Sequence, residues 1–466
     1  MQQPESAIMR KKYLLYIIGF VCILVAVAVL FYYKPHYIPK GFSNQKVIIT
    51  DTGTFKDADG SRPNIIIILG DDVGYDAIAA NGNQSFATPN IDRMAKEGMN
   101  FTQCYGSPLC SPSRVMLVTG KYSFRNFKEW GVMDPKEKTF ANILRDAGYA
   151  TYVAGKWQFD GGHNSITSFG FSGYCVWDAL EYDTHGSIYK NPRTYENGVF
   201  STKEANTNKF GDDIFTDRIL SFIQKNKTKN FLVYYPIGLC HPPFTPTPDD
   251  PEFAAWVNGG KESDSSFFPS MVKYMDKKTG QIIDSIKAWN LYNNTIIMFV
   301  GDNGTPKGVS YYYDGKLTTG RKGSTTSAGT HVPFMVTWPN TIKPAQVNNN
   351  LIDFTDFLPT IAEAVGLTVP ASHGVIDGKS FYAQLTGQPS KPRDWIFCDF
   401  NAHNGSNSKL TRWVQDTTYK LYDVSEKFYN IVLDPEEKNP IHPASITPEE
   451  EKIKKHLQHT MNKLHN

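Results

Sequence analysis

The stretch Asn64-Ile65-Ile66-Ile67-Ile68-Leu69-Gly70-Asp71-Asp72 decides the fold. Its apolar run has no polar face, so it reads as a strand covered on both sides, the habit of a parallel sheet between helix layers. It then stops at two carboxylates. Three later segments share this grammar: ATYVA from Ala150 to Ala154, FLVYY from Phe231 to Tyr235, and TIIMFV from Thr295 to Val300. Helix signals lie between them. Thr88-Pro89 offers a cap and a first-turn proline, with Gly98 as the stop, and Thr139 to Gly148 repeats the pattern. Asp213 to Lys225, Met271 to Trp289 and Thr355 to Val365 read as further helices, with Gly280 weakening the middle of the second. This alternation predicts an α/β fold: a large, mostly parallel central sheet flanked by helices.

At 466 residues the chain can bury a large core. Lys and Arg number 48 against 46 Asp and Glu, a net charge of +2, so bulk charge gives no reason to expect nucleic acid as a partner. Any anion site must be built locally. After a polar tail, residues 1–12, comes YLLYIIGFVCILVAVAVLFYY, residues 13–33, an uncharged run able to cross about 30 Å of hydrocarbon as a helix. Arg10, Lys11 and Lys12 lie closer to it than Lys34 and Lys40 do, which favours an inside N-terminus. Ala26-Val27-Ala28 resembles a signal cleavage site, but the apolar run continues through Tyr33, which favours an anchor. Either way, the remainder is expected outside the cytoplasm, at a cell surface, in a periplasm or in a lumen, or secreted if the segment is cleaved. Residues 34–61 read as a linker, 62–372 as the main domain, and 373–466 as a smaller α+β subdomain with strands near 395–400, 410–414 and 419–422 and a helix over 448–465.

Ligands of open α/β sheets bind beyond the carboxyl ends of the strands. Those ends carry Asp71 and Asp72, then Lys156 and Gln158, then His241, then Asp302 and Asn303. Singly, each is ordinary, because Asp, Asn and Gly are turn formers. Together, three carboxylates and an amide oxygen are hard ligands suited to calcium or magnesium rather than zinc. Without a cation, such crowding would raise their pKa values by mutual repulsion. Cys110 follows a Gly-Ser-Pro turn, and Ser111-Pro112 suggests a helix start there. A helix N-terminus favours an anion, and Arg114, one turn in, could fork onto the same anion. A small buried hydrophobe before a helix is the plain alternative for Cys110. The cysteines after the apolar segment are Cys104, Cys110, Cys175, Cys240 and Cys398, an odd number that leaves two bridges or buried thiols open.

The run CSPSRVMLVTG, residues 110–120, resembles the signature of the cysteine-type sulfatases of the alkaline-phosphatase-like superfamily, with cysteine, proline and arginine at alternate positions and a closing Thr-Gly. LGDDVGYD, TPNIDRMAKEGMNFTQCY, AGKW, CHPPF, VGDNG and GRKGSTTSAGTHVPFMVTWP are similar to sulfatase blocks in family order, and YKLYDV and FYNIVLDPEEKNP to its C-terminal strands. The resemblance implies that Cys110 is oxidised to formylglycine by a formylglycine-generating enzyme. It also implies that Asp71, Asp72, Asp302 and Asn303, with the modified Cys110, bind Ca2+, with Mg2+ as the other candidate. Arg114, Lys156, His241 and Lys322 would surround the sulfate, with His241 protonating the leaving alcohol, while Lys121 would support the helix. A hydrated aldehyde has two hydroxyls, one to attack sulfur and one to release sulfate, which a plain thiol lacks.

One position departs from the family. Gln158 stands where a histidine is usual two residues after the AGK lysine, and His163 is the nearest imidazole that could substitute. The expected substrate is a sulfated small molecule or glycan. A phosphate or phosphonate ester hydrolase of the same superfamily, or a non-catalytic glycan-binding descendant, are the competing readings.

Overall fold

The structure is a computed structural model and describes residues 62–129, 131–159, 162–177, 186–202, 204–260, 264–401 and 410–465. The tail, the apolar run 13–33 and the linker expected from the sequence lie outside the described residues. Among the described residues no helix is long and apolar enough to cross a membrane.

The four apolar segments become four adjacent strands, in the spatial order Thr295–Gly301, Asn64–Gly70, Phe231–Pro236, Ala150–Lys156. All pair in parallel, and every residue of the first two is buried. Burying an isoleucine contributes roughly 1.5–3 kcal/mol, so Ile65 to Ile68 alone are a strong local determinant of this arrangement. Gly173–Trp177 extends the parallel set beside Ala150–Lys156.

The eleven-stranded sheet is not parallel throughout. His331–Thr337 lies antiparallel between Thr295–Gly301 and Met99–Tyr105, and the far edge closes with the antiparallel pair Thr194–Glu196 and Val199–Phe200. The expectation of a mostly parallel sheet therefore describes its middle, not its flanks. Polar residues such as Asn100, Thr102 and Gln103 interrupt Met99–Tyr105, which therefore lacks the continuous apolar run of the central strands.

Strand alternation divides the core into two layers. Ile66, Ile68, Val233, Tyr235, Ile297 and Phe299 pack with the helices Gly211–Asn226 and Phe268–Ala288. On the other face Tyr234 meets Phe140 edge-on, 5.9 Å between ring centroids, and the helices Cys110–Thr119, Phe140–Asp146 and Phe357–Ala364 pack on one another. Thr139 caps the second of these with a full capping box. Thr88 precedes Pro89–Glu97 but does not cap it, since its hydroxyl instead bonds the Asp92 side chain at 3.0 Å. Gly280, which looked like a weak point, is where Asn90 of the crossing helix packs: a Cβ there would sit 2.5 Å from the Asn90 Cγ.

The C-terminal strands Ile396–Phe400, Thr411–Gln415, Tyr419–Tyr422 and Phe428–Asn430 form one antiparallel sheet, with Pro448–His465 against its middle strands. This sheet is tied to the loop that carries Lys322. Tyr422 donates to the Thr325 hydroxyl at 2.9 Å, and the buried Lys420 bonds the Thr325 carbonyl and Glu437. Cys104, Cys110, Cys175, Cys240 and Cys398 are all buried free thiols, which settles the open question of pairing.

Candidate active site

Register places the first carboxylates. Asn64–Gly70 and Thr295–Gly301 run level, from Asn64 opposite Thr295 to Gly70 opposite Gly301, so Asp71 and Asp302 emerge side by side. The Asp302 N–H donates to the Gly70 carbonyl at 2.9 Å, and the Asp72 N–H donates to Asp302 Oδ1, also at 2.9 Å. Asp72 has φ +60°, which turns its side chain out of the strand direction. Asn303 Nδ2 donates to Asp72 Oδ1 at 2.8 Å. All four side chains are fully buried.

Arg114 braces this group. Its Nε and Nη2 donate to Asp302 Oδ2 at 3.2 and 2.9 Å, Nη2 lies 3.3 Å from Asp71 Oδ1, and Nη1 donates to the Lys156 carbonyl at 2.9 Å. In the structure its donors serve carboxylates and backbone. Lys156 Nζ reaches Asp71 Oδ2 at 2.6 Å, and Lys322 Nζ reaches both oxygens of Asp72 at 2.6 and 2.7 Å. Gly155, at φ +120°, allows the approach of Lys156's strand to the next, since a Cβ there would lie 2.2 Å from the Pro236 carbonyl oxygen.

The electrostatics follow from this packing. Burial pushes both Asp71 and Asp302 up, but Lys156 and Arg114 overcome it at Asp71 and hold that carboxyl well below the usual range. Asp302 is pushed up to about 7 by burial and by the Asp71 charge, with Arg114 only partly opposing. Burial works against the charged form of Lys156 and Lys322, yet Asp71 and Asp72 respectively raise them, so both are cations at neutral pH. Burial pushes the Cys110 thiol up, against the pull of Lys156 and Lys322, which makes a thiolate nucleophile unfavourable here.

Cys110 is the first residue of its helix, with Leu109 rather than Ser111 in the cap position and Gly120 closing the other end at φ +68°. It is only 3% exposed. Gln158 Nε2 lies 3.4 Å from its sulfur. His241 approaches Asp72, with Nε2 4.0 Å from Asp72 Oδ2 and Nδ1 2.5 Å from the Pro242 carbonyl. A carbonyl only accepts, so Nδ1 carries a proton and Nε2 faces the site. Burial, with Lys156, lowers the His241 pKa. Beside these groups opens a cavity of about 610 Å³ lined by Lys156, Trp177, Ser187, Lys190, His241 and Pro242 among others.

The residues present fit a hard cation. Donor atoms of Asp71, Cys110 and Asp302 lie within 4.8 Å of one another, as do those of Asp71, Asp72 and His241. Asp71 Oδ1 and Asn303 Oδ1 are buried without a hydrogen-bond partner, an arrangement that a cation would satisfy.

Every residue expected at the site is brought to this rim. His163 is not: its Nδ1 bonds the Tyr174 hydroxyl at 2.7 Å, and it lines a separate cavity with Ala150 and Tyr152 at the amino end of the strand whose carboxyl end bears Lys156. Lys121 pairs with Glu137 at 2.7 Å, away from the carboxylates. Two contributors have no sequence signal. Thr305 accepts the Gly74 N–H through its hydroxyl and the Lys322 N–H through its carbonyl, and Tyr189 lies behind the segment carrying His241.

Fold and site together define an α/β protein whose parallel strands deliver a hard-cation oxygen set, lysines and a buried helix-terminal cysteine to one place. Residues 63–367 match the Sulfatase family model, and residues 324–466 match the model described as N-sulphoglucosamine sulphohydrolase, C-terminal. The chain belongs to the sulfatase family. It is 27% identical over 366 residues to the arylsulfatase of Hemicentrotus pulcherrimus, covering 72% of this chain and 64% of that one. To the N-acetylgalactosamine-6-sulfatase of Mus musculus it is 28% identical over 354 residues, covering 68% of this chain and 65% of that one. The chain thus spans just under two thirds of the length of these relatives. In fold it is similar to the crystal structure of Ps i-CgsB in complex with k-i-k-neocarrahexaose, with TM-score 0.72 and 23% identity, covering 86% of this chain and 92% of that one.

Proposed function

We propose that this protein is a sulfatase that hydrolyses a sulfate ester on a carbohydrate, with Cys110 converted to formylglycine and Ca2+ held by Asp71, Asp72, Asp302 and Asn303. The observation that carries this reading is the cluster of Cys110 with Asp71 and Asp302, all three buried. The N-acetylgalactosamine-6-sulfatase relative and the carrageenan-type ligand named with the neighbouring structure support a sugar as the leaving group. Converted to formylglycine, Cys110 would supply a hydrated aldehyde with one hydroxyl to attack sulfur and a second to expel sulfate. Calcium, when bound, would neutralise the crowded carboxylates and polarise the sulfate.

The chain's own residues do the rest. Lys156 and Lys322, both cationic and both beside the carboxylates, stabilise charge on the sulfate oxygens. Arg114 fixes Asp71, Asp302 and the Lys156 backbone in mutual register. Gln158 donates from Nε2 toward the atom borne by position 110 but cannot take up a proton. His241 Nε2, facing the site, delivers the proton to the leaving alcohol from the imidazolium form, in which both ring nitrogens carry hydrogen and Nδ1 keeps its bond to the Pro242 carbonyl. The 610 Å³ cavity beside Lys156 and His241 accommodates that alcohol.

The test is direct. Mass spectrometry of the peptide containing Cys110, from chain co-produced with a formylglycine-generating enzyme, should show the aldehyde. Sulfate release from a panel of sulfated mono- and oligosaccharides should disappear on Cys110→Ala and on calcium chelation. Release that survives either change, or phosphate release exceeding sulfate release on matched esters, would overturn the reading. The apolar run 13–33 supports a catalytic unit held outside the cytoplasm, which protease accessibility in intact cells would test.

A further inference from the structure

The segment that delivers His241 is a strand exit, and a buried phenol holds it. Tyr189 is 1% exposed and stacks on Phe210, 5.6 Å between ring centroids. Its hydroxyl lies 2.6 Å from the Gly238 carbonyl and 2.6 Å from the His241 carbonyl. A single phenolic proton thus spans both ends of the four-residue run Gly238-Leu239-Cys240-His241. Tyr189's own carbonyl accepts from the Gly211 N–H at 2.8 Å, which fixes it to the start of the helix Gly211–Asn226. From the opposite side, Asp71 grips the same run: its N–H donates to the Leu239 carbonyl at 2.9 Å and its carbonyl accepts from the Cys240 N–H at 2.5 Å. Ile188 and Lys190 line the 610 Å³ cavity while Tyr189 between them does not, so its hydroxyl sits behind the wall and away from substrate.

We infer that Tyr189 is a positioning residue for leaving-group protonation: its hydroxyl sets the height of His241 Nε2 over the substrate oxygen by clamping the Gly238 and His241 carbonyls. The inference rests on the sulfatase reading and adds a residue to its proton-transfer step. The hydroxyl itself bonds neither the nucleophile, the lysines nor the carboxylates, and the backbone bonds between Asp71 and Leu239-Cys240 remain when it is removed, so the end of the run that relaxes is the one bearing His241. The loss then falls on the proton transfer, where a small displacement matters most.

Leaving groups discriminate. Phenyl sulfate needs more help from a proton at the departing oxygen than 4-nitrophenyl sulfate, whose phenolate is a good leaving group. Tyr189→Phe should lower kcat for phenyl sulfate about ten-fold and for 4-nitrophenyl sulfate less than about two-fold, as a general-acid effect rather than general loosening requires. In a His241→Ala background the same substitution should add no further selectivity. Asp212→Asn, which alters the neighbouring support of the Gly238 N–H but leaves the phenol in place, should show no such split. Equal losses on both esters, the same split in Asp212→Asn, or full selectivity persisting without His241 would each overturn the inference. A wild-type protein carrying the aldehyde yet inactive on both esters and on the sulfated sugars would instead bring down the sulfatase reading, and this inference with it.

Discussion

Gln158 holds its Nε2 3.4 Å from the Cys110 sulfur, from a backbone at φ +55°. The strand Ala150–Lys156 ends two residues earlier, so the left-handed turn aims the amide back at the cysteine. The contact is that of a donor to the group at position 110, and a donor is what an amide retains when an imidazole is replaced. Gln158→Ala should lower kcat about ten-fold or more while leaving conversion of Cys110 intact by mass spectrometry. Gln158→Glu, which offers only acceptors, should be worse than alanine; an equal or higher rate would remove the donor role.

The carboxylate cluster makes a prediction about metal. Asp302, pushed up to about 7 by burial and Asp71, shows how poorly the site tolerates its own charge. Calcium should therefore raise Tm, by an amount equivalent to about 2.7 kcal/mol at a hundred-fold excess over its Kd. Asp302→Asn should abolish that increase, as read by calorimetric titration and thermal scans with and without chelator. A calcium-induced rise unchanged in the variant would place the ion elsewhere.

Asp212 provides a pH signature that is independent of the metal cluster. Burial pushes this carboxyl up to about 7, helped by Asp213, against bonds from the Gly238 N–H and the Tyr235 hydroxyl and the charge of Lys278. Its folded pKa exceeds its unfolded value, so between about pH 4 and 7 the native state binds the extra proton and stability falls as pH rises. The loss is on the order of 4 kcal/mol at most. Asp212→Asn should flatten that dependence, seen as denaturation midpoints at pH 5 and pH 8 drawing together. A wild-type protein more stable at pH 8 than the variant would contradict it.

Lys420 and Glu437 are a buried pair, with side chains 0% and 5% exposed and 2.8 Å apart. Lys420→Met leaves Glu437 and the Thr325 carbonyl without their cation and should destabilise by about 3–5 kcal/mol. Adding Glu437→Gln should restore much of this, because the stranded charge is then gone. A chemical-denaturation double-mutant cycle reads the coupling directly, and additive losses would show that the pair is not coupled.

The middle of the sheet was legible because Ile65 to Ile68, and their counterparts in three other strands, are covered on both faces and so are almost wholly apolar, with Thr151 and Thr295 the polar exceptions. The flanks were not. Met99–Tyr105 mixes polar and apolar positions, and His331–Thr337 carries Pro333 inside its apolar run, which argues against a central strand. Asp71, Asp72, Lys156, Asp302 and Asn303 were legible for the same reason the strands were, since they stand at or just past the ends of apolar runs, whereas His241 comes five residues beyond its strand. What could not be seen is anything acting through the backbone. Tyr189 and Thr305 matter by bonding carbonyls and N–H groups, and no spacing rule marks such contacts. The partners of Arg114 were not legible either, because only the folded register shows that Asp71 and Asp302 arrive within its reach.

All ten residues of the helix Cys110–Thr119 are buried, Cys110 and Arg114 among them. A modifying enzyme that must engage the backbone around Cys110 needs an extended, accessible segment, and once the sheet and its helices close this one is wound into a buried helix that leaves only the site end of Cys110 to meet a small group. The proposed oxidation is thus bound to the order of events during biosynthesis: it belongs to the nascent or newly translocated chain. Protein that folds first carries a thiol shut away from any later repair, stable in structure yet permanently without its aldehyde. The ratio of the two species would record how the race between modification and folding was run in each cell.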